Sequence, residues 1–179
     1  MAKRPKIYGL LAEFPNPGVL YHACERVRDA GYLAWDSYSP FPVHGIDKAM
    51  GVGRSIVPWI VGAMAFSGVG LGFLMQYWMN AVDYPFLIAG KPYNSYPAFV
   101  PVTFEAGILL GSFGAVFGML GLNQLPQLYH SLLKVDRFKK ATDDGFFIAI
   151  EARDPNYDPA ATRKLLLEAG ATHVEEVED

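Results

Sequence analysis

The sequence has a single cysteine, Cys24, among its 179 residues. One cysteine cannot form an internal disulfide or supply the ligands of a cysteine-bound iron–sulfur or zinc cluster. No Cys-x-x-Cys-His, His-Glu-x-x-His or phosphate-binding glycine motif is present, so the sequence carries no signature of a c-type haem, zinc or nucleotide site. We therefore predict a chain with no catalytic centre, metal or cofactor of its own.

Charged residues are also scarce. They make up 18% of the chain, whereas about 25% is usual in soluble proteins. The net charge of −3 provides no basic field for a nucleic acid. The shortage is local, because residues 55–82 contain no charged side chain and residues 92–133 contain only Glu105. Apolar segments are therefore set between more polar flanks.

Both apolar segments are long enough to cross a lipid bilayer. At about 1.5 Å per helical residue each exceeds the ~30 Å hydrocarbon core. We predict transmembrane helices over about 55–81 and 98–125, joined by an outer loop over 83–97. Two buried helices of a soluble protein are the alternative, but so short a chain has too few polar residues to cover them.

The distribution of lysine and arginine orients the predicted hairpin. Of the 15 such residues only Lys91 lies between the two segments. Lys48 and Arg54 precede the first segment, and four basic residues follow the second: Lys134, Arg137, Lys139 and Lys140. The positive-inside rule therefore places both termini in the cytoplasm.

The two flanks repeat one pattern of strand, helix and strand. A Pro follows an N-cap residue at the predicted start of each helix, in Asn16-Pro17 and Asp158-Pro159. Glycine, a residue that often ends helices, follows each helix at Gly31 and Gly170. The predicted strands cover residues 7–14, 32–38, 146–153 and 172–178. Two such βαβ halves predict an α+β, ferredoxin-like domain.

In a ferredoxin-like sheet the second and third strands are antiparallel neighbours at one edge. A hairpin inserted between them would leave the sheet intact. We therefore predict a first half of the domain over 1–47, the transmembrane hairpin over 48–130 and the second half over 131–179. Residues 39–45 and 131–145 are expected to serve as linkers.

Glycines recur on one face of the second predicted span, at Gly107, Gly111, Gly114 and Gly118. Small residues let another helix approach closely. Two interpretations remain open at this point. The stripe packs on the first span of the same chain, or it docks a neighbouring subunit.

Glu105 is the one ionisable residue in the second span, and such residues are candidates for function. It could relay protons or contact a partner subunit. It could instead be a protonated or interfacial carboxyl that hydrogen-bonds the loop at Tyr96 or Asn94. A haem between the helices is not expected, because all four histidines lie outside the apolar cores.

Several motifs resemble one family closely. They are Gly90-Lys91-Pro92-Tyr93-Asn94-Ser95-Tyr96-Pro97 and Pro101-Val102-Thr103-Phe104-Glu105 in the middle, with Gly9-Leu10-Leu11-Ala12-Glu13-Phe14 and Ser39-Pro40-Phe41-Pro42-Val43-His44-Gly45 in the first flank. Together they resemble the small two-helix D subunit of the bacterial alternative complex III.

This resemblance implies an accessory subunit of a quinol:electron-acceptor oxidoreductase in the bacterial cytoplasmic membrane. Its expected partners are polysulfide-reductase-like membrane subunits, which handle the quinol, together with iron–sulfur and c-type cytochrome subunits. Haem c and iron–sulfur clusters are expected in those partners and not in this chain. The alternative is a stand-alone two-helix membrane sensor or assembly factor with a ligand-binding domain.

Overall fold

A computed structural model describes residues 7–179, which form two compact units. The first unit combines the described chain up to Gly53 with Leu128–Asp179, and the second is Arg54–Gln127. The first is an α+β unit with a four-stranded antiparallel sheet. The second contains two long apolar helices.

The first half of the α+β unit follows the predicted order. Strand β1 covers Ile7–Phe14, helix α1 Pro17–Asp29 and strand β2 Trp35–Tyr38. Asn16 caps α1, because its side-chain oxygen accepts a hydrogen bond from the Val19 N–H at 2.9 Å.

The second half repeats this arrangement. Strand β3 covers Phe146–Glu151, helix α5 Pro159–Glu168 and strand β4 His173–Glu178. Here Asp158 is the cap, and it accepts from the Ala161 N–H at 2.7 Å. Both predicted caps and both prolines at the helix starts are therefore confirmed.

The strand order in the sheet is β2-β3-β1-β4, and every neighbouring pair is antiparallel. β2 pairs with β3 at one edge, as predicted for the second and third strands. It begins at Trp35 and not at residue 32, because the Leu33 and Ala34 N–H groups donate to the carboxylate of Asp154. β3 is also shorter than predicted and ends at Glu151.

Each face of the sheet is covered. Helices α1 and α5 cover one face, where Leu20, Ile148 and Leu166 have no exposed surface. The short helix α2, Ile46–Met50, adds the buried Ala49 to the same core.

The other face is covered by two 3-10 helices, Ser131–Lys134 and Asp136–Thr142. Leu132, which is fully buried, packs there with Leu11 and Phe147. Residues 131–145, which were expected to serve as a linker, therefore also form part of the packed unit. Strands with apolar residues on both faces need a cover on both, and this segment provides the second one.

The second unit is an antiparallel helical hairpin. Helix α3 covers Val57–Tyr77 and continues as a π-helical turn over Trp78–Asp83, and helix α4 covers Tyr96–Leu122. By length and composition both helices could cross a membrane. The predicted ranges 55–81 and 98–125 agree with these bounds to within three residues.

Candidate functional site

The predicted glycine stripe lies at the contact between α3 and α4. Gly107, Gly111 and Gly114 are buried, and Gly118 faces the same way. A Cβ atom built on any of these glycines would lie close to a side chain of α3. The nearest distances are 2.8 Å from Gly107 to Val69, 3.2 Å from Gly111 to Ala65, 2.9 Å from Gly114 to Met64 and 3.2 Å from Gly118 to Ile60. Real Cβ atoms do not approach other atoms below 3.0 Å, so this face of α4 is occupied by α3.

Helix α3 contributes small residues to the same contact. A Cβ on Gly68 would overlap the carbonyl oxygen of Ala106, and one on Gly72 would lie 2.9 Å from the Ala106 Cβ. The two backbones therefore approach closely only because both helices carry glycine where they meet. A Cβ on Gly62 or Gly70, in contrast, would meet nothing within 4 Å.

A buried amide ties the two helices together near the loop between them. The Gln76 Nε2 donates to the carbonyl oxygens of Gly72 and Phe99, both at 3.0 Å, and lies 3.1 Å from the Thr103 hydroxyl. Gln76 is only 9% exposed. Sequence reasoning missed this residue, although it is the only amide side chain in α3.

Glu105 lies on the opposite side of α4. Two positions along a helix correspond to a rotation of about 200°, so Glu105 points away from the face that carries Gly107. Its side chain is exposed and borders a hollow of about 550 Å³ lined by Val102, Leu109 and other residues of α4. Among residues 7–179 no side chain hydrogen-bonds or ion-pairs with Glu105, and this includes the predicted partners Tyr96 and Asn94.

The α+β unit has a pocket of about 660 Å³ between β2 and the 3-10 helices. The rings of Tyr38 and Phe138 line it, together with His130, Lys139 and several small polar residues. The pKa of Tyr38 is raised above its ordinary value, mainly because the hydroxyl is buried. The lining of the pocket is mostly apolar and includes a few polar groups.

A smaller and more polar hollow of about 220 Å³ adjoins this region. Tyr8 and His130 meet there, with 3.4 Å between the Tyr8 hydroxyl and the His130 Nε2. Burial, followed by the charge of Glu151, raises the pKa of Tyr8 to about 12. The phenol is therefore neutral near pH 7 and available as a hydrogen-bonding group.

Asp154 is a buried carboxylate whose role is structural. It is 5% exposed and accepts hydrogen bonds from three backbone N–H groups, those of Leu33 and Ala34 at 2.6 Å and of Asn156 at 2.8 Å. Burial opposes its ionisation, but these three donors lower the pKa of Asp154 below its usual value. The carboxylate thereby fixes the chain before β2 against the turn after β3.

Within residues 7–179 there is no group of three or more His, Cys, Asp or Glu side chains that could hold a metal ion. Cys24 has no exposed surface, and burial raises the pKa of its thiol to about 12. Such a thiol is protonated and unreactive at neutral pH.

Comparison with known proteins gives one family. The family model described as "Alternative complex III, ActD subunit" matches residues 8–176, a range that extends across both units. A search of curated proteins finds no match. The family match confirms the resemblance seen in the sequence motifs. This chain therefore belongs to the ActD family, the subunits of alternative complex III that bear this name.

Proposed function

We propose that this chain is a non-catalytic accessory subunit of alternative complex III, anchored in the bacterial cytoplasmic membrane by its helical hairpin. In this role it packs against the membrane subunits that handle the quinol. The observation that carries the proposal is the surface of the hairpin. Most of its large apolar side chains are exposed, while glycines lie where the two helices meet.

The exposed apolar residues cover the hairpin from end to end. Phe66 is 81% exposed, Leu71 60% and Phe117 66%. Water would penalise such a surface by roughly 25 cal/mol for each Å² of apolar area. Apolar patches of this size mark membrane or protein contacts, and the hairpin offers enough of them for lipid and for a partner subunit.

The positions of the basic residues support an orientation with both termini in the cytoplasm. Lys48 and Arg54 precede α3 and a basic group follows α4, whereas the loop between the helices has only Lys91. The α+β unit would then lie on the cytoplasmic side and the loop on the opposite side.

The strand order supports a ferredoxin-like assignment for the α+β unit. The order β2-β3-β1-β4 and the two βαβ halves are those of the split βαβ pattern. The hairpin is inserted between β2 and β3, which are adjacent in the sheet. Because the two strands are neighbours, the chain can leave and return without separating any strand pair.

The redox groups of the complex belong, in this proposal, to other subunits. Iron–sulfur and c-type cytochrome subunits would hold the clusters and haem c, and polysulfide-reductase-like subunits would bind the quinol. Support comes from the residue types, since this chain offers one buried cysteine and dispersed histidines.

Purification through this chain tests the proposal. An affinity tag placed after Asp179 and extraction in a mild detergent should yield c-type haem absorbance and the large membrane subunits in constant ratio. Recovery of the chain alone, or as a homodimer, under conditions that preserve quinol oxidation would contradict it.

A second candidate function is ligand binding by the α+β unit, as a sensor or assembly factor would require. The pocket bordered by Tyr38 and Phe138 favours it, because about 660 Å³ lies within the range of small-molecule sites. Native mass spectrometry should then show a bound small molecule that is lost in Ala141→Trp, a change that fills the pocket. An unchanged spectrum without extra mass would leave only the structural role.

A further inference from the structure

The α4 surface around Glu105 combines a carboxyl group with apolar neighbours. Leu109 lies about one turn after Glu105 in the helix, and Val102 lies about one turn before it on the same side. Both apolar side chains are exposed, at 53% and 39%. The only other polar side chain bordering this hollow is Ser112. Nothing in the described hairpin therefore supplies a donor to Glu105.

The position of Glu105 along α4 places it within the hydrocarbon core if the hairpin crosses the membrane. It is nine residues from the start of α4 at Tyr96 and seventeen from the end at Leu122. These separations correspond to about 14 Å and 26 Å along the helix. Because α4 is about 40 Å long and the hydrocarbon core about 30 Å thick, a centred helix places Glu105 about 8 Å inside the core. The glutamate side chain is shorter than that of lysine or arginine and reaches less far toward the interface. In lipid its carboxyl group would lack a hydrogen-bond partner, which is costly.

We propose that this face of α4, formed by Val102, Glu105, Leu109 and Ser112, docks a transmembrane helix of another subunit, and that this helix donates a hydrogen bond to Glu105. The inference rests on the proposed function, because it assumes that the hairpin lies in the membrane. The opposite face of α4 is already filled by α3, so the Glu105 face is free for a partner.

The residues on the Glu105 face of α4 indicate what kind of helix can dock there. A complementary helix needs apolar residues opposite Val102 and Leu109 and one donor side chain opposite Glu105. Ser112 is small and leaves room for a close approach. A second copy of this chain fits poorly, because a twofold axis along the membrane normal would bring Glu105 against its own copy. Two glutamates that meet must share a proton between their carboxyl groups, whereas a helix with its own donor side chain pairs with Glu105 without that requirement.

The test compares Glu105→Leu with Glu105→Gln in the tagged complex. If a partner donates to Glu105, Glu105→Leu leaves that donor unpaired, and we expect retention of the other subunits through a detergent titration to fall about three- to tenfold. Glu105→Gln keeps an acceptor of the same shape and should lose less. If the Glu105 carboxyl faces lipid instead, Glu105→Leu should retain the other subunits at least as well as the wild type does, because leucine is the more favourable side chain in lipid. Equal or greater retention in Glu105→Leu, or equal losses in both variants, would overturn the inference.

Phe66→Leu is the matched control, because Phe66 is 81% exposed on α3 and carries no polar group. The amount of each variant in the membrane fraction reports whether the hairpin still inserts. Failure of the wild-type chain to retain any subunit would refute the proposed function itself. A wild-type complex that Glu105→Leu leaves intact would refute only the donor contact.

A photo-crosslinking residue at Leu109 identifies the occupant. Mass spectrometry of the product should show a peptide from a transmembrane segment of a different subunit. A crosslink to a second copy of this chain, or to lipid alone, would overturn the assignment.

Discussion

The two units of this chain bury opposite kinds of residue. In the α+β unit most of the largest fully buried side chains are apolar, such as Leu20, Phe147 and Ile150. In the hairpin the buried positions of α3 are Gly68, Gly72 and Gln76. Large apolar side chains therefore form the core of the α+β unit and most of the surface of the hairpin, although Phe99 of α4 is buried.

This difference shows what each unit uses to hold its elements together. Water drives large apolar side chains into the core of the α+β unit. Helices in lipid gain little from such burial and associate through close packing and hydrogen bonds. The hairpin shows both features, in the glycine contact with Ala106 and in the hydrogen bonds of Gln76.

Truncating a leucine in each unit tests this difference most directly. Leu20→Ala removes a fully buried side chain and should destabilise the α+β unit by about 2–5 kcal/mol. Leu71→Ala removes a side chain that is 60% exposed on α3 and should change the stability of the hairpin by less than about 0.5 kcal/mol. Hydrogen exchange with mass spectrometry in mild detergent reports each unit separately. Equal effects of the two changes would contradict the inverted arrangement.

Adding one methyl group in the hairpin tests the same difference on a finer scale. Gly68→Ala places a Cβ against the Ala106 carbonyl oxygen and should cost about 1–3 kcal/mol through overpacking. Gly70→Ala on the same helix meets nothing within 4 Å and is the matched control. Unfolding by SDS in mixed micelles, followed by tryptophan fluorescence after Trp35→Phe, measures both variants. A tolerated Gly68→Ala would mean that α3 and α4 do not approach so closely.

Carboxyl groups distinguish the units in a further way. Asp154 finds three backbone donors within its own unit, whereas no described residue donates to Glu105. Asp154→Asn should destabilise the α+β unit by about 1–3 kcal/mol at pH 7, because the amide is a weaker acceptor and its N–H₂ group replaces one acceptor oxygen.

The pH dependence follows from the lowered pKa of Asp154. The unfolded chain binds this proton near the ordinary value of about 3.9, and the folded chain only at lower pH. The stabilisation is therefore complete above about pH 4 and is lost as the pH falls through the folded-state pKa. Acid titration of stability should show this loss in the wild-type unit and a smaller loss in Asp154→Asn. Parallel curves would assign the acid sensitivity to other groups.

Local signals in the sequence were sufficient for most of the fold. Asn16-Pro17 and Asp158-Pro159 locate the starts of α1 and α5, because capping depends on residues adjacent in the chain. β1 matches its predicted range, and the apolar runs locate α3 and α4. The second cover of the sheet was missed, since Leu132 finds its place through contacts with strands distant in sequence.

The candidate site was less predictable for the same reason. The spacing of Gly107, Gly111, Gly114 and Gly118 places them on one face, but only the packing identifies α3 as their neighbour. Gln76 gave no periodic signal, because its role depends on carbonyl oxygens across the hairpin. Glu105 could be selected from the sequence, since a single charged residue in an apolar run is evident there. The face of α4 on which it lies, relative to α3, could not be predicted.

Accessibility of single cysteines to a membrane-impermeant maleimide tests the central claim, that the hairpin crosses the membrane and separates the loop from the α+β unit. The variants are Asn94→Cys in the loop and Leu33→Cys, at a position that is 81% exposed in the α+β unit, both in a Cys24→Ala background. In intact spheroplasts we expect labelling of Asn94→Cys alone, with Leu33→Cys labelled only after lysis. Labelling of both variants, or of Leu33→Cys alone, before lysis would contradict it.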